Sequence, residues 1–302
     1  MSVAVQTVGI VGCGLVGTAI ARRLATAGFS VIGHDLDGAR RDPFEQAGGS
    51  WSNGNVAVFR TAATLFLALP DSNATEFALQ DAIDPGAALP ALVIDVGTDD
   101  PERIARLAGR LAKRGSALLD APLSGSSAQI GAGDAVMMIG GDAQAIALAA
   151  PLLAAITAQR FVLGPSGSGA RAKLATNLVL GLNRAALAEG FAFAEALGMD
   201  PATFLALVRA TPANSAAAEA KGEKMLRGDY SAQSRVRQHC KDVALMLDVA
   251  RRHGQHLPLT TAHAALLDAA VAAGDGERDN AAILEAFRRL RHVSATKIRN
   301  GE

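Results

Sequence analysis

The sequence predicts an α/β protein: an amino-terminal domain with a doubly wound parallel sheet, then a long helix and an all-α carboxyl-terminal domain. The chain has 302 residues, which exceeds one ordinary core and favours two domains of about 100–200 residues each. Short β-rich runs alternate with helical stretches up to about residue 163, as in βαβ units. After the glycine-rich segment 164–169, only helical patterns follow. We therefore expect domains at residues 1–166 and 167–302.

Seven runs of the amino-terminal part are predicted as strands because they are short, apolar and bounded by turn residues. They are Thr7–Val11, Ser30–His34, Thr64–Leu69, Leu92–Val96, Ala117–Leu119, Val136–Ile139 and Arg160–Leu163. Asp99 or Asp100 followed by Pro101 predicts the start of a helix that ends at Gly115.

The carboxyl-terminal part is predicted to be helical throughout. One long helix is expected from Ala170 to Leu197, closed by Gly198, and Asp200–Pro201 marks the next helix start. Further helix breaks are expected at Pro212, Gly228–Asp229, Pro258 and Gly274–Gly276.

The composition argues against several classes of partner. Twenty-nine basic residues balance twenty-nine acidic ones, so no overall field favours nucleic acid or an anionic membrane. Cys13 and Cys240 are far apart, which fits neither a disulfide framework nor a zinc site. The first residues carry no secretory pattern and no apolar run reaches about 18–20 residues, so we expect a cytoplasmic protein.

A glycine-rich motif directly follows the first predicted strand. Residues 12–17 read Gly-Cys-Gly-Leu-Val-Gly and fit the G-x-G-x-x-G pattern of Rossmann dinucleotide-binding domains. In that pattern Gly12 permits a tight turn, Gly14 lets the backbone approach a pyrophosphate, and Gly17 lets the helix pack closely on the strand.

The cofactor prediction extends to the neighbouring residues. Backbone N–H groups near Leu15 and Val16 are expected to face the phosphates from a helix N-terminus. Asp35 ends the second predicted strand, eighteen positions after the last glycine, where an acid binds the adenine ribose. Its charge repels a 2′-phosphate, so NAD is favoured over NADP. Arg40 and Arg41 lie nearby and are expected to be exposed.

Further motifs carry a family resemblance. Residues 120–126 read Asp-Ala-Pro-Leu-Ser-Gly-Ser, and small-residue segments follow at 131–133 and 138–141. Residues 167–177 combine Gly-x-Gly with a lysine and an asparagine, and residues 239–245 read His-Cys-Lys-Asp-Val-Ala-Leu. Together with the glycine loop, these blocks resemble the β-hydroxyacid dehydrogenase family, which includes 3-hydroxyisobutyrate, threonate and tartronate semialdehyde enzymes.

The resemblance implies roles for the substrate loop and for one helix. Ser124, Gly125 and Ser126 would bind a substrate carboxylate, which a small-residue loop can do with N–H and hydroxyl donors. Lys173 would be the catalytic lysine and Asn177 its companion, one helical turn away. An ammonium group near the reacting oxygen can stabilise an alkoxide and exchange its proton. Without the other blocks, such a lysine would be read as an exposed helix residue.

The same resemblance assigns residues around the nicotinamide. Lys241 would close over the nicotinamide end of the cofactor or over the substrate, and Asp242 would hold Lys241 or its helix in place. Leu69 and Pro70 match the loop beneath the cofactor. Thr98 matches the threonine beside the nicotinamide ribose.

Four residues depart from the family pattern. Ser126 and Gln129 stand where glycines are usual, Thr176 where the first of two asparagines often lies, and Gly97 where serine commonly precedes the threonine. The hydroxymethyl group of Ser126 either narrows the pocket or supplies a donor for a polar substrate. Both interpretations stay open.

The expected function is NAD-dependent interconversion of a small 3-hydroxy carboxylic acid and its semialdehyde or ketone, in a homodimer or homotetramer. Imine reductases share the architecture but generally lack the lysine at position 173. A non-catalytic protein that senses NAD or a small acid is a further alternative. His253 and His256 are three residues apart without a nearby third ligand, so no metal is expected.

Overall fold

The computed structural model describes residues 6–83 and 89–299. Within that part, the chain forms two units, Met1–Leu174 and Ala175–Glu302. The division between the units falls inside the longest helix, and each unit has its own secondary-structure class.

Nine strands of the described residues form one sheet in the amino-terminal unit. They are β1 (Thr7–Val11), β2 (Ser30–His34), β3 (Gly49–Trp51), β4 (Thr64–Leu67), β5 (Leu92–Asp95), β6 (Ala117–Asp120), β7 (Leu123–Ser124), β8 (Val136–Gly140) and β9 (Gln159–Gly164). The spatial order is β3-β2-β1-β4-β5-β6-β8-β7, and β9 pairs with β8. Strands β1 to β6 are parallel, and the order reverses between β1 and β4. The predicted doubly wound sheet is confirmed, with its ligand-binding crevice expected at that reversal.

The sheet changes direction at β8. This strand runs antiparallel to β6 and β7 and parallel to β9. The connection between β7 and β8 is too short for the crossover that parallel neighbours require, so β8 returns beside them in the opposite direction. The sequence pattern missed β3 and β7, which have three and two residues and are too short for visible alternation.

Seven helices in the described part of this unit cover the sheet. They are α1 (Leu15–Thr26), α2 (Arg41–Gln46), α3 (Asn55–Thr61), α4 (Ser72–Ile83), α5 (Pro101–Ala112), α6 (Ser127–Ala132) and α7 (Ala143–Ile156). Side chains of β4 alternate between two apolar clusters: Phe66 belongs to one, and Leu65 and Leu67 to the other. A parallel sheet buried on both faces explains why its strands are nearly all apolar.

The carboxyl-terminal unit is helical. The chain enters it along α8 (Ser168–Ala196) and continues through α9 (Pro201–Ala210), α10 (Ala216–Arg227), α11 (Val236–Arg252), α12 (Pro258–Ala272) and α13 (Ile283–Arg299). Asp200 accepts a hydrogen bond from the Thr203 N–H at 2.8 Å, so it caps α9 as predicted. None of the helices in the described ranges combines the length and apolar character that crossing a bilayer requires.

Candidate functional site

The glycine loop between β1 and α1 contains three glycines, of which two have no room for a side chain and one does. Gly12 has a φ of +90°, and a Cβ there would collide with the carbonyl oxygen of Ala68. A Cβ at Gly17 would collide with the carbonyl oxygen of Gly12. A Cβ at Gly14 would have no heavy atom within 4 Å. Gly12 and Gly17 are therefore required by packing, whereas Gly14 leaves open space in which a ligand can approach the backbone.

The N-terminus of α1 supplies donors for an anion. The helix begins at Leu15 and its N-cap is Gly14, which has no side chain to cap it. No acidic residue lies in the first turn. The N–H groups of Leu15 and Val16 and the helix dipole therefore favour a phosphate here, which fits a dinucleotide.

Asp35 is held against this loop. Its Oδ2 accepts a hydrogen bond from the Cys13 N–H at 2.7 Å, and its Oδ1 accepts one from the Asp37 N–H at 2.9 Å. Burial, and then the charge of Asp35, raise the pKa of the Cys13 thiol to about 12. Cys13 is thus a neutral packing residue, and Asp35 is oriented beside the phosphate-binding turn.

The two arginines near Asp35 have acidic partners of their own. Arg40 contacts Asp37 at 3.1 Å, and Arg41 contacts Glu45 at the same distance. All four of these side chains are exposed to solvent, so such pairs contribute little to stability.

The predicted residues after β4 and β5 lie at the same edge of the sheet as the glycine loop. Leu69 is half-buried, Pro70 is exposed and Thr98 is half-buried. A Cβ built at Gly97 would lie 3.1 Å from the carbonyl oxygen of Leu69, so the two loops are in contact. Because β1, β4 and β5 are adjacent and parallel, their carboxyl ends form one crevice.

Asp120, the last residue of β6, anchors the start of α8. Its carboxylate accepts hydrogen bonds from the N–H groups of Gly167 at 2.7 Å and Ala170 at 2.8 Å. Burial raises the pKa of Asp120, while these N–H donors oppose that shift. The role of Asp120 was not predicted, although an acid at the end of a strand and a glycine-rich helix start are visible in the sequence.

Lys173 lies two turns into α8 and is buried, with 9% of its surface exposed. Its Nζ donates a hydrogen bond to the carbonyl oxygen of Leu123 at 2.8 Å. Leu123 directly precedes Ser124, the first of the three residues to which the resemblance assigns carboxylate binding. The structure therefore brings the predicted catalytic lysine to the predicted substrate loop.

The predicted substrate loop contains a reciprocal helix cap. Ser126 is the N-cap of α6: its Oγ accepts a hydrogen bond from the Gln129 N–H at 3.3 Å. The Oε1 of Gln129 accepts hydrogen bonds from the Ser126 N–H at 2.8 Å and from the Ser126 Oγ at 3.1 Å. Two departures from the family pattern thus form one capping box. Ser124 precedes it at the end of β7, and Gly125 has a φ of +155°.

The predicted residues of the carboxyl-terminal unit are joined by Asp242. Asn177 Nδ2 donates to Asp242 Oδ2 at 3.2 Å, and Lys241 Nζ lies 3.0 Å from Asp242 Oδ1. Asn177 and Asp242 are buried, whereas the Lys241 side chain is 27% exposed. Asp242 therefore orients both predicted site residues of this unit. Thr176 is exposed.

A buried basic cluster beside Asp242 was not predicted. The rings of His239 and His263 lie 5.2 Å apart, and a Cβ at Gly181 would lie 2.6 Å from His239 Nε2. Burial, and then the charge of Arg184, lower the pKa of His263 to about 4. Arg184 follows Asn177 at a helical spacing on α8, which was the only signal in the sequence.

The described residues contain no group of three or more His, Cys, Asp or Glu side chains placed to hold a metal ion. His253 and His256, the pair considered from the sequence, are both exposed.

Two protein-family models match the chain. Residues 7–164 match the NAD-binding domain of 6-phosphogluconate dehydrogenase. Residues 167–287 match a model described as NAD-binding of NADP-dependent 3-hydroxyisobutyrate dehydrogenase. The two matches together span most of the chain.

Individual proteins agree with the models. The L-threonate dehydrogenase of Cupriavidus necator is 32% identical over 93% of this chain and 96% of its own length. A 3-hydroxyisobutyrate dehydrogenase structure from Salmonella typhimurium is 26% identical, with a TM-score of 0.84 over 93% of this chain and 99% of that one. Psf3 in complex with NADP+ and 2-OPP is 25% identical, with a TM-score of 0.82 over 93% and 99%. The glycine loop, the lysine of α8 and these similarities agree: the chain belongs to the β-hydroxyacid dehydrogenase family, whose members are NAD(P)-dependent.

Proposed function

We propose that this protein is an NAD-dependent dehydrogenase that interconverts a small 3-hydroxy carboxylic acid and its semialdehyde or ketone. The observation that carries the proposal is the position of Lys173. Its buried amino group lies 2.8 Å from the carbonyl oxygen of Leu123, next to the loop of residues 124–126 that is proposed to bind the substrate carboxylate. The alternative of imine reduction is disfavoured by the same lysine.

Lys173 acts as the general acid and base in this proposal. In the oxidation direction, neutral Nζ accepts the proton of the substrate hydroxyl as the C–H bond of the carbinol carbon breaks. In the reverse direction, the ammonium form donates that proton to the carbonyl oxygen and stabilises the developing alkoxide. The nicotinamide cofactor, when bound, accepts or returns the hydride.

Ser124 and Gly125 are proposed to bind the substrate carboxylate, with Ser126 completing the loop. The N–H and Oγ of Ser126 both donate to Gln129 in this conformation. We therefore assign Ser126 chiefly to the shape of the loop and leave the main donors to the two residues before it. Holding the carboxylate orients the hydroxyl carbon and supplies part of the rate by positioning.

We propose that the loop of Gly12, Gly14 and Gly17 binds the cofactor. The N–H groups of Leu15 and Val16 are proposed to bind its pyrophosphate. Asp35 is proposed to accept the ribose hydroxyls and to repel a 2′-phosphate, which favours NAD. Support comes from its fixed orientation by the Cys13 N–H. The pairing of Arg40 and Arg41 with acids agrees, because neither is held in place for a phosphate.

Leu69, Pro70 and Thr98 are proposed to border the nicotinamide half of the cofactor. Asn177 is proposed as the companion of Lys173, one helical turn away on α8, and Lys241 is proposed to act on the nicotinamide or the substrate. Their shared partner Asp242 supports a fixed geometry for both.

We also propose a cytoplasmic homodimer or homotetramer. Both cysteines are free thiols, which suits a reducing compartment. Helix α8 exposes the apolar side chains of Val179 and Phe193, and Leu197 directly after the helix is exposed as well, which suits a contact between subunits. Light scattering measures the oligomeric state.

The function is tested by following reduction of NAD and NADP by absorbance with 3-hydroxyisobutyrate, glycerate, threonate, serine and 3-hydroxybutyrate in turn. We expect one acid to be oxidised with NAD at a rate that Lys173→Ala abolishes. If no acid reacts although NAD binds, the protein is an imine-directed enzyme or a sensor, and a panel of cyclic imines with NADPH separates these two.

A further inference from the structure

Three acidic side chains gather where β5 and β6 end. Asp95 and Asp120 are aligned across the two strands, and Asp99 lies in the loop after β5. Asp95 and Asp99 are each only 2% exposed. Asp120 accepts hydrogen bonds from the N–H groups of Gly167 and Ala170 at the start of α8, whereas Asp95 and Asp99 lie on the side of Gly97.

The contacts of Gly97 show that the carboxyl groups of Asp95 and Asp99 both lie next to it. A Cβ built at Gly97 would lie 2.5 Å from Asp99 Oδ2 and 3.1 Å from Asp95 Oδ1. The Gly97 N–H donates to Asp95 Oδ1 at 2.9 Å. Two carboxylates buried this close together repel one another when both are ionised, and burial penalises the charged form of each. One proton held between them removes that repulsion.

We propose that Asp95 and Asp99 share one proton and that this acid pair holds the turn that carries Thr98, which makes Asp99 a positioning residue for the cofactor. The role toward the cofactor rests on the proposed function, whereas proton sharing concerns the fold alone. Glycine at position 97 is part of the arrangement, because a side chain there would displace the carboxyl group of Asp99.

The surrounding charges determine the pH dependence. Burial raises the pKa of Asp95 well above its usual value, and the charges of Asp99 and Asp120 act in the same direction. Asp100, the N-cap of α5, and Arg103 in α5 also lie near the acid pair, and Arg103 donates a hydrogen bond to Glu76 at 2.9 Å. The folded state therefore holds the proton more tightly than the unfolded chain, whose Asp pKa is about 3.9. The stabilisation is present at low pH and is lost as pH rises through the folded-state pKa.

The deciding variant is Asp99→Asn, whose amide N–H can donate to Asp95 at every pH. Melting temperatures of wild type and variant are compared from pH 5 to pH 9. We expect the difference, variant minus wild type, to rise by about 2 °C or more across this range. In parallel, the Kd of NADH from its fluorescence is expected to rise with pH in wild type and to change less in Asp99→Asn. Asp142→Asn, an exposed cap of α7, is the control and should follow wild type in both measurements.

A second pair of variants guards against a folding defect. Gly97→Ser is expected to lower the melting temperature, because its Cβ would crowd the Asp99 carboxyl group. Gly97→Ser combined with Asp99→Ala is expected to recover it, because the serine hydroxyl can donate to Asp95 from the vacated space.

Each result separates the two claims. Parallel melting curves for wild type and Asp99→Asn, together with no recovery in the double variant, would overturn proton sharing. An altered melting profile with an unaltered pH dependence of NADH binding would overturn the positioning role. Wild type that binds no dinucleotide at any pH would contradict the proposed function and the positioning role together, while the melting comparison still decides proton sharing.

Discussion

The Nζ of Lys173 lies 2.8 Å from the carbonyl oxygen of Leu123, so the helix that carries the proposed acid–base group is bonded to the proposed substrate loop. Asp120 strengthens the same connection at the start of that helix, through the N–H groups of Gly167 and Ala170. The proposed acid–base group and the proposed substrate loop are thus positioned by a few hydrogen bonds within the amino-terminal unit.

Lys173→Met is expected to lower kcat by about 10²- to 10⁴-fold, the usual contribution of a general acid–base group. The Kd of NADH should stay within about twofold, because Lys173 does not belong to the proposed cofactor loop. Steady-state kinetics and NADH fluorescence measure the two quantities. Lys113→Met, at the exposed C-cap of α5, is the control. If Lys173→Met lowers NADH affinity as much as it lowers kcat, Lys173 has a structural role instead.

Asp120→Ala is expected to lower both stability and kcat, because it removes the cap of α8 and lets Lys173 move. Loss of a cap costs about 0.5–2 kcal/mol of the free energy of unfolding. Asp142→Ala is a matched control, since Asp142 caps α7 through the N–H groups of Gln144 and Ala145. Denaturant unfolding should show a loss for both variants, whereas kcat should fall only for Asp120→Ala. Equal kcat values would rule out the positioning role of Asp120.

Much of this arrangement was visible in the sequence. Strands β1 and β2 have the predicted bounds, and the glycine loop has the predicted context, because their patterns are local. Other strands differ by one or two residues at their ends, where hydrogen bonding rather than composition decides the boundary. The signal for the Ser126–Gln129 cap was also present in the sequence, since serine followed three residues later by glutamine is a capping-box pattern.

Other features depend on tertiary contacts that no local pattern reports. Asp95 and Asp99 look like ordinary loop acids until both are seen to be buried beside Gly97. His239 and His263 come from different helices, and the packing of α11 against α12 brings their rings together. Such clusters require the fold before they can be recognised.

Asp35→Ser is expected to lower the ratio of kcat/KM for NAD to that for NADP by about tenfold to a hundredfold, the usual effect of losing a hydrogen bond to a charged group. It also removes the charge that opposes a 2′-phosphate. Kinetics with both cofactors measure the ratio. Asp42→Ser, at an exposed position of α2, should leave the ratio unchanged. An unchanged ratio in Asp35→Ser would contradict the ribose assignment.

Ser126→Ala and Ser124→Ala are expected to separate loop shape from substrate binding. Ser126→Ala should cost about 0.5–2 kcal/mol of the free energy of unfolding through loss of the α6 cap, with a small change in substrate KM. Ser124→Ala should raise substrate KM by about tenfold with little change in stability. Chemical denaturation and initial rates measure these effects, and Gln129→Ala should behave like Ser126→Ala. The reverse pattern would assign the carboxylate to Ser126.

His263 is expected to make the protein acid-sensitive. Burial, and then the charge of Arg184, lower its pKa from 6.5 to about 4. Between these two pKa values the imidazole of His263 is protonated in the unfolded chain but neutral in the folded protein. The free energy of unfolding therefore decreases as pH falls from about 6.5 to about 4. The loss from this group reaches about 3 kcal/mol at the acid end.

His263→Gln removes the titrating ring and should flatten that part of the curve of melting temperature against pH. His256→Gln, at an exposed position, is the matched control and should keep the wild-type slope. His263→Gln also loses the ring contact with His239, which lowers its melting temperature at every pH. The test therefore compares the slopes of melting temperature against pH, not the melting temperatures themselves. If His263→Gln loses stability as steeply as wild type between pH 6.5 and pH 4, another group titrates there and His263 is not kept neutral by its burial.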